Sequence, residues 1–175
     1  MKKILSIIIL LGASLSLKAQ EYSNPPGIDK FVGTWVYING VDTIKLKAVA
    51  RYVEFPGIQA RVLDFYYTYK QGNSIVWDNI INSPDHKKSD FGGARPYGGA
   101  NYDTLEVAGH DKLKRKTDEG YIIINSAGDQ LTFKRDRELS GGGVNFYNPG
   151  QEPLPGYTLP STFILTKETY MSARH

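Results

Sequence analysis

Asp85-His86 and His110-Asp111 are the neighbouring pairs in this sequence whose residue types suit acid–base or metal chemistry. Metal ligation from a strand or helix needs side chains at i, i+2 or i+4, so that they share a face. His86, His110 and His175 form no such pair, and an adjacent Asp and His in extended chain point to opposite faces. The spacing therefore indicates no metal site, no cofactor and no catalytic residue centred on histidine. Carboxylates such as Asp64, Asp78, Glu106 and Asp129 are plentiful. Acid–base catalysis needs two of them at a fixed separation in a cleft, which no local pattern here specifies. The stretch "SGGGVNF" has the glycines of a phosphate cradle but lacks the following Lys and helix start, so it reads as a turn. With no Cys, the chain has no thiolate, no disulfide and no site for lipid attachment.

Aromatic side chains are the other candidates for recognition, because a flat apolar face with a polar edge can line a cavity or stack on a sugar ring. In "QARVLDFYYTYK" the strand period puts Leu63, Phe65, Tyr67 and Tyr69 on one face and Asp64, Tyr66 and Thr68 on the other. Tyr67 and Tyr69, with Trp77 from "IVWDNII", are the expected lining of a ligand site. A long connection over 82–103 carries "FGGA" at Phe91 and "YGGA" at Tyr97, an aromatic before each flexible glycine pair. This suits a flap bearing Phe91, Tyr97 and Tyr102, and Arg95 and Tyr97 complete the candidate ligand-binding set. A second long connection covers 137–160. Loops of this length are most often functional or disordered.

The elements that must position these residues are strands. Lys2 and Lys3 followed by the apolar run Ile4 to Leu17 form a signal peptide, with cleavage expected near Ala19-Gln20. That run is too short for a bilayer span, so the mature protein is expected to have no integral membrane segment. Loss of Lys2, Lys3 and Lys18 reduces the 21 basic residues to 18, equal to the 18 acidic ones. A formally neutral protein lacks the electrostatic footprint of a nucleic-acid binder. The expected division is leader 1–19, linker 20–29, one β domain 30–168 and tail 169–175.

Thr34 to Ile38 reads as a first strand, and Asn39-Gly40 as a type I′ turn into a second strand, Val41 to Val49. Ile44, Leu46 and Ala48 face one way, whereas Val53 and Phe55 fall on the opposite parity, so a β-bulge or break is expected near Val49 to Arg51. The runs "TLEV", "KLKRK", "GYIIIN", "QLTFKR" and "STFILTKE" read as further strands, and "SAGD" as a hairpin turn. About eight or nine short strands without helical periodicity give an all-β, antiparallel barrel, with a β-sandwich as the alternative.

"FVGTW", with Gly33 and Trp35, resembles the G-x-W signature opening the first strand of lipocalins and their calycin relatives. The resemblance implies that Trp35 closes one end of a barrel beneath an Arg, for which Arg135 and Arg137 are the candidates, while the final strand offers Lys167. "TDEGY", with Thr117, Asp118 and Tyr121, echoes a later lipocalin motif without its central aromatic, and no long C-terminal helix follows the last strand. More of the chain resembles a set of small secreted bacterial proteins of unknown function, which share an F-x-G-T-W-x-Y-x-N-G opening and an "LPSTFILTKE"-like final strand. That resemblance implies one domain from Phe31 to Glu168 and no activity.

The functional expectation is an exported, periplasmic or extracellular, non-enzymatic barrel holding a small apolar or amphipathic molecule. The alternative is a protein or glycan interaction module with a filled core, and a hydrolase is the third option. An internal cavity separates the first from the second.

Overall fold

The computed structural model describes residues 21–23, 26–55, 58–83, 85–93, 96–97, 102–136 and 154–168. Eleven strands form one sheet: β1 (Glu21–Ser23), β2 (Gly33–Asn39), β3 (Asp42–Phe55), β4 (Ile58–Gln71), β5 (Ser74–Asp78), β6 (Phe91–Gly93), β7 (Pro96–Tyr97), β8 (Thr104–Asp111), β9 (Lys116–Ile124), β10 (Gln130–Arg135) and β11 (Thr162–Lys167). Eight of them close into an antiparallel barrel in the order β4-β3-β2-β11-β10-β9-β8-β6, with β6 returning to β4. No α-helix occurs among the described residues. The expected all-β antiparallel barrel is the observed fold, and its closed eight-stranded wall fits a calycin-like architecture.

The period of two in the sequence becomes the inside and outside of this wall. Trp35, Ile44, Leu46, Leu63, Phe65, Leu105, Ile122, Leu131, Phe133 and Leu165 all point inward and are buried. The two ends of the barrel are distinct. Gly33 and the β9–β10 hairpin mark the proximal end; the β2–β3, β4–β5 and β8–β9 turns mark the distal end.

A 3-10 turn, Ile28–Phe31, covers the proximal end with two buried side chains, Ile28 and Phe31. The Trp35 indole N–H donates to the Phe31 carbonyl at 3.0 Å, and the Asp29 carboxylate accepts from the Arg61 guanidinium, which ties the turn to β4. Lys167 sets its ammonium 5.0 Å from the Trp35 ring. Gly33 has φ 137°, and a Cβ there would lie 3.3 Å from Lys167 Cε, so the glycine suits both the backbone and the close lysine. Trp35 is buried at the proximal end, and the cation over its ring is Lys167. Arg135 lies at the opposite end, because β10 runs away from the β9–β10 hairpin, and Arg137 lies outside the described residues.

Four expectations are corrected. β3 pairs with β4 in one unbroken register from Asp42↔Gln71 to Phe55↔Ile58, with no bulge near Val49 to Arg51. In that register Val53 lies on the outer face, half-buried in a groove it shares with Arg51, Val62 and Asp64. The irregularity falls instead between Tyr69 and Lys70, where β5 joins β4. The first hairpin turns one residue later than expected, since Asn39 pairs with Asp42 and the central residues are Gly40 and Val41. Gly40 alone supplies a positive φ, 59°, the pattern of a II′ turn with Gly first. Lys112 to Arg115 of "KLKRK" form the β8–β9 turn rather than a strand, with Arg115 at φ 58°. Finally, Glu21–Ser23 of the expected linker adds a parallel strand to β4 at Ile58–Ala60.

Replacing Trp35 by Ala should cost about 3–5 kcal/mol, because it empties a fully buried site at the proximal plug. Trp35→Phe should cost about 1–3 kcal/mol by leaving the Phe31 carbonyl without its donor. Urea denaturation midpoints of the two variants check both values.

Candidate functional site

Tyr67 projects inward from β4 and is buried among aromatics contributed by strands on every side of the barrel. Its ring lies 6.4 Å from Trp77 and 6.1 Å from Phe91; Phe91 lies 5.9 Å from Phe133, Phe133 5.0 Å from Phe163, and Phe163 5.4 Å from Tyr37. This chain of rings crosses the space that a ligand would occupy. Burial, and then the Asp90 charge, push the Tyr67 hydroxyl far above its usual ionisation range. Tyr69, one turn of the pleat further on, is half-buried and donates its hydroxyl to Asp42 at 3.0 Å. Its ionisation is also raised, by burial first and by that bond second. Trp77 pairs directly across from Tyr69 in the β4–β5 ladder.

The structure thus brings Tyr67, Tyr69 and Trp77 together, as wall and core rather than as the walls of a void. Arg95 lies outside the described residues, and Tyr97 is described only by its backbone, paired with Thr104. Phe91, expected on a flap, is a buried strand residue of β6, while Tyr102 is exposed.

Asp90, which the sequence pattern did not single out, organises this region. Between β4 and β8 the barrel is bridged by only the three residues of β6, and β5 pairs with β4 from Thr68 onward, so the β4 main chain at Tyr66 and Tyr67 has no strand partner on that side among the described residues. Asp90 takes that place. Its N–H donates to Phe65 O at 2.8 Å, its Oδ2 accepts from Tyr67 N–H at 2.9 Å, its Oδ1 accepts from the Trp77 indole at 3.2 Å, and its carbonyl accepts from His110 N–H at 3.2 Å. Lys112 stands 3.7 Å from the carboxylate and 5.6 Å from the Trp77 ring. Burial raises the Asp90 ionisation above 3.8, opposed by the Tyr67 N–H, Asn79, Lys112 and Trp77. The readable signal was an Asp immediately before an aromatic and two glycines in "DFGG".

The distal end is closed by a second plug. Arg135 forms a buried two-pronged pair with Asp118, with Nη2 to Oδ2 at 2.8 Å, and also donates to Leu159 O at 3.2 Å. Tyr157 stacks 3.9 Å over this guanidinium, with Lys116 4.3 Å from the same ring. Asp111 accepts from Thr158 N–H and Oγ1, both at 2.7 Å, which holds the chain across the mouth and drives Leu159 into the core. Each buried carboxylate thus has a structural engagement: Asp64 with Arg51, Asp90 at the seam, Asp111 with Thr158 and Asp118 with Arg135. His110 points outward while Asp111 points inward, His86 is exposed, and His175 lies outside the described residues. Among the described residues no group of three or more His, Cys, Asp or Glu comes together.

Around this plug the surface is aliphatic. Ile38 and Val41 of the first hairpin, Ile75 and Val76 of β5, Leu113 of the β8–β9 turn and Leu154 are all exposed. Val76 and Leu113 share a groove of about 240 Å³ with Tyr69 and Tyr157, Leu154 N–H donates to Lys114 O at 2.9 Å beside Leu113, and Ile75 lines a separate groove on the outer wall with Val36, Lys45 and Lys70.

Residues 1–94 match a family of unknown function, DUF6705. The chain belongs to this family. The matched part runs through β6 and so includes the first hairpin, β4 and the Asp90 bridge. No curated protein and no solved structure matches the chain. Among the described residues no helix is long and apolar enough to cross a membrane.

Asp90→Asn keeps the shape of the side chain without its charge, so it isolates the contribution of Asp90 ionisation to stability. The sign of the pH dependence follows from the raised ionisation. The native state holds the Asp90 proton more tightly than the unfolded chain, so this stabilisation is complete below pH 3.8 and is lost as pH rises through the native value. The stability of the natural protein relative to Asp90→Asn should therefore fall as pH is raised from 3 to 7, as read by denaturant titrations at stepped pH.

Proposed function

We propose that the protein is an exported, non-enzymatic binding module that engages a protein partner through the distal end of a filled barrel. The observation that carries this reading is the clustering of Ile38, Val41, Ile75, Val76, Leu113 and Leu154 at one end, with Ile38 71% and Val41 64% exposed. Large aliphatic side chains exposed together at one end of a barrel mark an interaction site. The rim is aliphatic rather than aromatic, which favours a protein surface over a sugar ring. Export is part of the proposal and rests on the basic start and apolar run of residues 2–17.

An internal carrier would need the volume that Tyr67, Phe91, Phe133 and Phe163 occupy, and it would need an entrance where Trp35 and Leu159 stand. Enclosed ligand sites of useful size run to roughly 300 Å³ or more. A groove of about 350 Å³ between Val36, Lys45, Lys70 and Ile75 lies on the outside of the wall, and one of about 240 Å³ lies at the distal mouth.

Photo-crosslinking residues placed at Val41 and at Leu113, in the host that makes the protein, should each yield a protein adduct, whereas the same residue at Ile123 near the proximal end should not. A small molecule bound one-to-one in native mass spectrometry of gently purified protein, with no rim adduct, would overturn the proposal.

A further inference from the structure

The barrel wall is joined between β2 and β11 by only two residue pairs, Val36↔Thr166 and Trp35↔Lys167. Both strands continue toward the distal end, β2 to Asn39 and β11 back to Thr162, and no ladder links them there among the described residues. The direction of the main-chain groups along this gap follows from bonds on either side of it. Glu168 N–H donates to Thr34 O at 2.8 Å, so even-numbered residues of β11 and β2 turn their N–H and C=O groups toward each other. Arg135 N–H donates to Ser161 O and Lys167 N–H to Asp129 O, both at 2.8 Å, so odd-numbered residues of β11 face β10. Thr162 and Ile164 on one side, and Ile38 on the other, therefore aim main-chain donors and acceptors into the gap. Ile38 and Ile164, 71% and 54% exposed, flank it on the outer face, and Tyr37 and Phe163 floor it on the inner face with rings 5.4 Å apart.

We infer that this seam accepts an extended segment of a protein partner, which adds a strand between β2 and β11. The inference rests on the interaction reading and names the partner's chemistry. Two facing strand edges whose main-chain groups have no ladder partner among the described residues are matched by another extended backbone, since backbone pairing is what such edges recruit. β2 and β11 are antiparallel, so the added strand runs parallel to one and antiparallel to the other. Its period of two sorts its side chains: small ones inward over Tyr37 and Phe163, β-branched ones outward between Ile38 and Ile164. Lys134, exposed and paired with Thr162 on the adjacent strand, favours a carboxylate at the distal end of the segment.

The probe is an acetylated, amidated peptide of alternating Val and Ala with Glu at both ends, titrated into isotope-labelled full-length mature protein. Saturable amide shifts concentrated at Ile38, Thr162 and Ile164 are expected. Methylating alternate peptide nitrogens should weaken binding at least about tenfold, because it removes ladder donors and keeps the side chains. Ile164→Pro should also weaken binding while the protein stays folded, since that N–H has no ladder partner, whereas Leu165→Pro should unfold it. Shifts that are insensitive to peptide methylation would overturn strand addition, as would the same amides responding to anionic phospholipid vesicles and not to the peptide. Rim crosslinks at Val41 and Leu113 without any seam response would overturn this inference and leave the interaction reading standing.

Discussion

A closed barrel has to satisfy the main-chain N–H and C=O groups of every strand around the whole ring, and the rest of this molecule follows from how it meets that demand. Along most of the wall, long hairpins meet it outright: β3 and β4 pair over fourteen residues each, and β8 with β9 from Thr104 to Asp111. The ring falls short in two places. Beside β6 a buried carboxylate takes over, as Asp90 accepts from the Tyr67 main chain and gathers Trp77 and Lys112 around itself. Between β2 and β11, no described group takes over beyond Val36 and Thr166.

The interior is crossed by aromatic side chains. Aromatic side chains from β2, β4, β6, β10 and β11 meet across the barrel, a Trp with its 3-10 turn closes one end, and a buried arginine pair under Tyr157 closes the other. Removing one partner of a buried ion pair is strongly destabilising, because it leaves the other charge buried and unpaired. Arg135 and Asp118 serve in this way to fix one path for the chain from Tyr157 to Leu159 across the mouth. With the inside occupied by aromatic rings, the proposed recognition is assigned to the distal rim and the parted wall beside it.

Much of the fold was legible in the sequence because the alternation of Leu63, Phe65, Tyr67 and Tyr69, and of Ile44, Leu46 and Ala48, is a direct image of an inside and an outside. What could not be read was whether the aromatics enclose a space or fill it, since that depends on Phe91, Phe133 and Phe163 arriving from distant strands. The false bulge near Ala50 arose because alternation assumes one covered face, whereas β4 also buries Asp64 and Tyr66 outside. Lys112 to Arg115 looked like a strand by side-chain spacing, but the left-handed Arg115 made it a turn. Asp90 and the parted seam were invisible for a common reason: both are defined by where pairing stops, and no local residue pattern encodes that.

The most direct test of this account is amide hydrogen exchange read residue by residue along β11 and β2 of the free protein. Thr162, Ile164 and Ile38 should exchange at least about tenfold faster than their strand neighbours Phe163, Leu165 and Val36, in an alternating pattern that ends at Thr166. If Ile164 and Ile38 are protected as well as Leu165 and Val36, the wall is continuous, and the account of a barrel parted at its distal end is wrong.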